Sequence, residues 1–204
     1  KLFMAGAALL LALVSSAETK QTLPDWQDAG IIQRNRYPMT ATFETDGQKL
    51  SLNGVWKFQW YPTIPERSKT FFAADFDDSA WDTMPVPGMW ELNGYGDPVY
   101  KNVGWAWDGQ YIKNPPIPAD WHNYAGQYRR TFNLDEAWAG KDIFLHIGSA
   151  TSNVRVWVNG KEVGYSEDSK LAAVFDITRY VRQGDNLIAL EVFRWCDGTY
   201  LDDQ

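Results

Sequence analysis

The stretch NVRVWVNGKEVGY, residues 153–165, constrains the fold more than any other part of the chain. Val154, Val156 and Val158 alternate with Arg155 and Trp157. Successive strand side chains point to opposite faces, so the valines share one face and Arg155 and Trp157 the other. Asn159-Gly160 follows immediately. A two-residue type I′ turn needs positive φ at both central positions, which Asn-Gly provides at little steric cost. The stretch therefore reads as an antiparallel hairpin with one apolar face.

The same grammar recurs. DIFLHIG sets Ile143, Leu145 and Ile147 on one face, and VWKFQWY alternates bulky residues with Lys57 and Gln59. GQYRRTF and AVFDITRYV add two more strands, and PVYKNV reads as another. NLIALEVFRW is a long strand, apolar on both faces except at Glu191. Gly, Pro and Asp clusters such as MPVPGMW, GYGDP and QGDN punctuate these segments. Helical periodicity is nearly absent, so the chain reads as an all-β antiparallel sandwich. From Asp25 to about Lys49 it is irregular and polar, an arm that lies on a neighbour.

One segment breaks the rhythm. GWAWDGQYIKNPPIPADWHNYA, residues 104–125, holds three Trp, two Tyr and three Pro. It exceeds the usual loop ceiling of about 12–15 residues. A proline-stiffened aromatic loop either forms one wall of a binding site or covers a sheet edge.

Several function classes drop out. KLFMAGAALLLALVSSA has a basic start, an apolar run too short to span a bilayer and small residues where a signal peptidase cuts. Residues 1–17 are thus expected to be a signal peptide clipped at its start, and the protein to be exported to a bacterial periplasm. The net charge of −7 repels phosphate backbones and anionic lipid, which argues against nucleic-acid or membrane partners. Cys196 is the single cysteine and reads as a small buried hydrophobe. His122 and His146 do not make a metal cluster. No phosphate loop, zinc spacing or nucleophile elbow appears. A glycosidase carboxylate pair needs a separation that sequence does not give. Asp202 and Asp203 are adjacent and would point to opposite faces of a strand, so they are poor candidates for it.

Five blocks carry a resemblance: SLNGVWKFQWYP, VPGMWELNGYGDPVYKNV, NPPIP, VWVNGKEVGYSEDSKLAAVFDI and RWCDGTYLDDQ. Together with DWQDAGIIQRNR in the arm, they resemble the N-terminal sugar-binding domain of family 2 glycoside hydrolases. Within that family the match is to the large β-galactosidases, with GYGDPVYKN and DGTYLDDQ the most specific parts.

The resemblance implies a jelly-roll, galactose-binding-like β-sandwich with its final strand missing. It implies an arm over residues 18–50, an incomplete sugar-binding domain over 51–204, and no catalytic barrel in this chain. Catalytic residues would lie beyond Gln204. It implies that Asn102 contacts galactose, since an amide offers both a donor and an acceptor to neighbouring hydroxyls. It further implies a structural divalent site from Asp25, Asp28, the Ile31 carbonyl, Glu167 and Asp197. Asp28 and Glu167 stand where the family has amides, which strengthens attraction to a hard cation but raises repulsion without one. The alternative for these five is a set of solvated acids. Mg²⁺ and Na⁺ are expected in the full-length enzyme, with a galactoside substrate, the remaining domains of the same polypeptide and a homo-oligomeric assembly as partners. Two rival readings are a stand-alone carbohydrate-binding module and a structural domain of a β-glucuronidase or β-mannosidase.

Overall fold

The computed structural model describes residues 22–40, 45, 47–99, 102–105, 107–108 and 117–201. The expected leader over residues 1–17 and the Asp202-Asp203 pair lie outside the described residues. Among the described residues the regular structure is nine strands and short 3-10 turns, with no α-helix. The strands are β1 (Gln33–Arg34), β2 (Gly54–Tyr61), β3 (Asp82–Val86), β4 (Ala125–Leu134), β5 (Phe144–Ile147), β6 (Asn153–Val158), β7 (Lys161–Glu167), β8 (Ala173–Asp176) and β9 (Gly184–Phe193). Seven form one antiparallel sheet in the order β1-β7-β6-β9-β4-β2-β3, and β5 pairs with β8 in a second. The architecture is the expected all-β antiparallel sandwich.

Register explains what each face does. Phe58, Tyr128, Leu190 and Val156 lie opposite one another across β2, β4, β9 and β6. Opposed residues share a face, so this row is the apolar side of the large sheet. Leu145 and Phe175 of the small sheet, and Ile177 just beyond it, close over that side in one buried cluster. Each such side chain contributes about 1.5–3 kcal/mol when fully buried.

The next row reads Gln59, Gln127, Glu191, Arg155, Tyr165 on the opposite face. Gln127, Arg129 and Glu191 are nonetheless buried. They anchor the segment 62–81, which joins β2 to β3 and wraps across this second face. Such a segment has no ladder of its own, so its buried carbonyls need donors from elsewhere. Arg129 donates to the carbonyls of Phe71, Ala73 and Phe76 and pairs with Asp78 at 2.7 Å. Gln127 Nε2 donates to the Ser68 carbonyl at 2.7 Å and to Glu191 at 2.8 Å, and Arg67 pairs with Glu191 at 3.1 Å. Phe71 then packs on Trp157 and Ala189.

The hairpin forms as its sequence dictates, with Asn159 at φ 51 and Gly160 at φ 79. Cys196 is buried. The neighbour on which the arm lies is this same sandwich: β1 pairs with β7, and the Tyr37 amide donates to the Val174 carbonyl at 2.9 Å. One expectation fails, because PVYKNV contains no strand among its described residues. Val99 and Val103 are exposed there, so their β-branched side chains have no surface to pack against.

Candidate functional site

The GYGDP block is a rigid turn on the apolar side of the large sheet. Gly94 (φ 89) and Gly96 (φ 72) hold backbone conformations that favour glycine. A Cβ on Gly96 would sit 2.9 Å from the Tyr124 ring, so the close approach also requires glycine. Tyr95 packs on Phe58 at 5.0 Å between ring centroids, and Trp60 packs on Tyr124 at 5.0 Å. Tyr95 Oη donates to Asp82 at 2.9 Å, and Arg194 pairs with Glu91 at 2.9 Å just ahead of the turn. Asn102 emerges a few residues after this platform, and its side chain is exposed. Met89, Leu92, Val103 and Trp105 in the same stretch are also exposed. Asn102 is thus an exposed amide a few residues beyond the turn, with both a donor and an acceptor.

The aromatic loop lies partly outside the described residues, which omit 106 and 109–116. Its described ends are pinned. Trp105 stacks on Trp107 at 5.6 Å, and Trp107 meets Tyr200 at 4.9 Å. Trp26 and Gln27 of the arm donate to Asp120 at 3.4 and 2.8 Å. Pro118 accepts from Gln27 at 2.9 Å.

The four acids and one carbonyl expected at a cation site fall into separate groups. Asp25 is buried and accepts from Arg34 twice, at 2.9 Å each, and from Arg155 at 2.6 Å. Although burial opposes it, those two guanidinium groups hold its carboxyl below the usual range. Three of its roughly four acceptor positions are taken by arginine. Arg34 and Arg155 are the partners that sequence reading missed; the signal for Arg155 was a charge on the non-core face of an otherwise buried strand.

Glu167 and Asp197 form the second group. Both are buried. Tyr165 Oη donates to Glu167 Oε1 at 2.6 Å, while Glu167 Oε2 and Asp197 Oδ1 are buried with no hydrogen-bond partner. Burial pushes Glu167 up to about 8, opposed by the Tyr165 hydroxyl and reinforced by the Asp197 charge. Burial also raises Asp197, and the charge of Asp28 adds to that. Two facing carboxylates in low dielectric must share either a proton or a cation. Asp28 itself caps a turn by accepting from the Gly30 amide at 3.0 Å, and its carbonyl accepts from Ile31 at 2.7 Å. Among the described residues, no cluster of three or more His, Cys, Asp or Glu is arranged to hold a metal. The orphaned oxygens of Glu167 and Asp197 fit a hard cation; Asp25, as the arginines hold it, does not.

Comparison with known proteins places this geometry. The family model described as glycosyl hydrolases family 2, sugar binding domain, matches residues 50–204. The chain is 42% identical over 154 residues to a β-galactosidase of Priestia megaterium (strain DSM 319 / IMG 1521), covering 76% of this chain and 15% of that protein. It is 34% identical over 192 residues to a β-galactosidase of Vibrio cholerae serotype O1 (strain ATCC 39541 / Classical Ogawa 395 / O395), covering 88% of this chain and 18% of that one. The chain thus spans less than one fifth of the length of these relatives. Its fold superposes on a β-glucuronidase 2 of Bacteroides uniformis with a TM-score of 0.52 and 24% identity, over 72% of this chain and 15% of that one. An antiparallel sandwich with a rigid GYGDP turn and a family match across three quarters of its length has one conclusion: the chain belongs to glycoside hydrolase family 2, as its sugar-binding domain.

Proposed function

We propose that this chain is the sugar-binding portion of a retaining β-galactosidase that removes terminal β-D-galactosyl groups, and that Asn102 forms part of the wall holding the galactose ring. The observation that carries this reading is 42% identity to a protein named as a β-galactosidase, against 24% to a β-glucuronidase. The Gly96–Tyr124 contact supports the role of Asn102, because it steadies the turn that delivers it.

Chemistry in such an enzyme uses two carboxyls about 5–5.5 Å apart, one as nucleophile and one as acid/base. In this reading neither belongs to this chain, and the exposed Met89, Leu92 and Val103 face the domains that carry them. Glu167 and Asp197 would hold a divalent cation, which supplies charge neutralisation and stiffens the base of the arm. Export to the periplasm, a homo-oligomeric assembly and Na⁺ in the complete active site belong to the same proposal.

A β-glucuronidase is the second reading, favoured by the solved structures that share the fold. The test compares the full-length polypeptide with its Asn102→Ala variant on aryl β-galactoside, β-glucuronide and β-mannoside. Galactoside-selective cleavage with kcat/KM lowered tenfold or more, about 1.4 kcal/mol, is expected. Selective cleavage of the glucuronide would replace the substrate assignment. Galactoside cleavage unaffected by the variant would make this domain a scaffold.

A further inference from the structure

A cleft of about 500 Å³ opens on the second face of the large sheet. Register separates it from Asn102. Arg155, Trp157 and Glu191 line it, and they project opposite to the Phe58–Leu190 face that carries the GYGDP turn. Trp26 of the arm and Phe72 of the 62–81 segment supply its other walls.

The polar lining has more donors than acceptors. Three carboxylates reach the cleft, and each is engaged. Asp25 is held by Arg34 and Arg155, Glu162 by Arg155 at 2.8 Å, and Glu191 by Arg67 at 3.1 Å. Donors remain. Arg34 spends Nε and Nη2 on Asp25, and Arg67 spends Nε on Glu191 and Nη1 on the Ile64 carbonyl, so each keeps a terminal nitrogen in reserve. Lys69 lines the cleft, is exposed, and enters none of the ion pairs among the described residues. Four cationic side chains (Arg34, Arg67, Lys69, Arg155) thus face three carboxylates (Asp25, Glu162, Glu191), a net positive lining on a chain of net charge −7. Its apolar part is aromatic: Phe72 stacks on buried Trp157 at 5.0 Å with an interplanar angle of 2°, so the rings with accessible carbon are the half-buried Phe72 and Trp26.

A ligand that suits this surface is rich in acceptors, carries negative charge and has an apolar face. A sugar ring with a carboxylate meets all three requirements. Its carboxylate pairs with the ammonium and the spare guanidinium N–H groups, and its ring C–H face lies on aromatic carbon. The volume lies in the range of small-ligand sites, roughly 300–1,000 Å³. We propose that this cleft is a second saccharide site, separate from the Asn102 wall and selective for uronate-containing oligosaccharides. It rests on membership of a sugar-binding family and not on the β-galactosidase assignment.

Isothermal titration of the full-length polypeptide with trigalacturonate, and with its fully methyl-esterified form, tests this directly. The ester keeps the skeleton and removes the charge, and neither is a β-galactoside. Binding of the acid with a Kd below about 1 mM is expected, tenfold or more weaker for the ester and weakening as salt rises. Lys69→Glu alters an exposed position outside every ion pair among the described residues, so it is expected to keep the wild-type melting transition to within a few degrees, whereas Arg34→Ala also removes the bidentate partner of buried Asp25 and is expected to melt earlier. Each should weaken the acid by fivefold or more. No binding of the acid at millimolar concentration overturns the proposal. So does equal binding of acid and ester, or full affinity in Lys69→Glu. Galactosidase activity enters none of these readouts, so the two proposals fail independently.

Discussion

Replacing Glu167 by Gln removes one of two facing buried carboxyls without changing its shape. Wild-type Glu167 titrates at about 8 in the folded protein, against an ordinary glutamate value near 4.5. A folded-state value above the unfolded one means that the native state binds more protons between the two. Stability then falls as pH rises through that window. Integrated from pH 5 to pH 8, the loss is about 3 kcal/mol, an upper figure because Asp197 shares the charge. Glutamine can still accept from Tyr165 Oη, and its amide nitrogen, standing where Oε2 was, can donate to the orphaned Asp197 Oδ1. The assay is urea unfolding of both proteins at pH 5, 6, 7 and 8 with EDTA present. Wild-type stability should fall relative to the variant by up to that amount across the series, and the variant should be the more stable at pH 8. Adding millimolar Mg²⁺ or Ca²⁺ should flatten the wild-type curve far more than the variant's. Parallel curves in EDTA would refute the reasoning, because they would show that no uncompensated charge is forced on the pair.

Asp25→Asn should destabilise the fold by about 3 kcal/mol, since it leaves Arg34 and Arg155 facing a neutral amide. That loss should not change on adding divalent cation, which thermal melting with and without Mg²⁺ would show. The Asp25 contribution, with its carboxyl held below the usual value, should be present above pH 4 and disappear as acid titrates it. Gly96→Ala should cost about 1–2 kcal/mol, because it places a Cβ at φ 72 against the Tyr124 ring. In the full-length polypeptide it should also raise KM for a galactoside more than it lowers kcat, and an unchanged KM would detach the turn from Asn102.

The sandwich was legible because its strongest signals are local. Val154, Val156 and Val158 declare a face by alternation alone, and Asn159-Gly160 declares the turn. Glu191 was legible only as an anomaly, one acid in an apolar strand. Its meaning needed Gln127, Arg67 and the 62–81 segment, which come from distant parts of the chain. PVYKNV misled because two valines in six residues imitate a strand, whereas nothing covers them. At the candidate site, Asn102 and the paired acids came from resemblance, while the grip of Arg155 on Asp25 left no mark in the spacing. The two residues are 130 positions apart, and no periodicity spans that distance.

That same separation orders events in time. The arm's ladder and ion-pair partners across the sheet edge, β7, Arg155 and the Val163 and Val174 carbonyls, are contributed by the second half of the chain. Closing so long a loop before the hairpin exists costs entropy with little return, so the arm docks after β6 and β7 have paired. It is correspondingly the first element to leave. Amide hydrogens of Gln33 to Tyr37 should exchange with solvent well before those of β4 and β9, through openings that leave the central sheet intact. The arm is thus a latch whose state reports on the sheet edge beneath it, and the cleft that Trp26 and Arg34 complete exists only while that latch is closed.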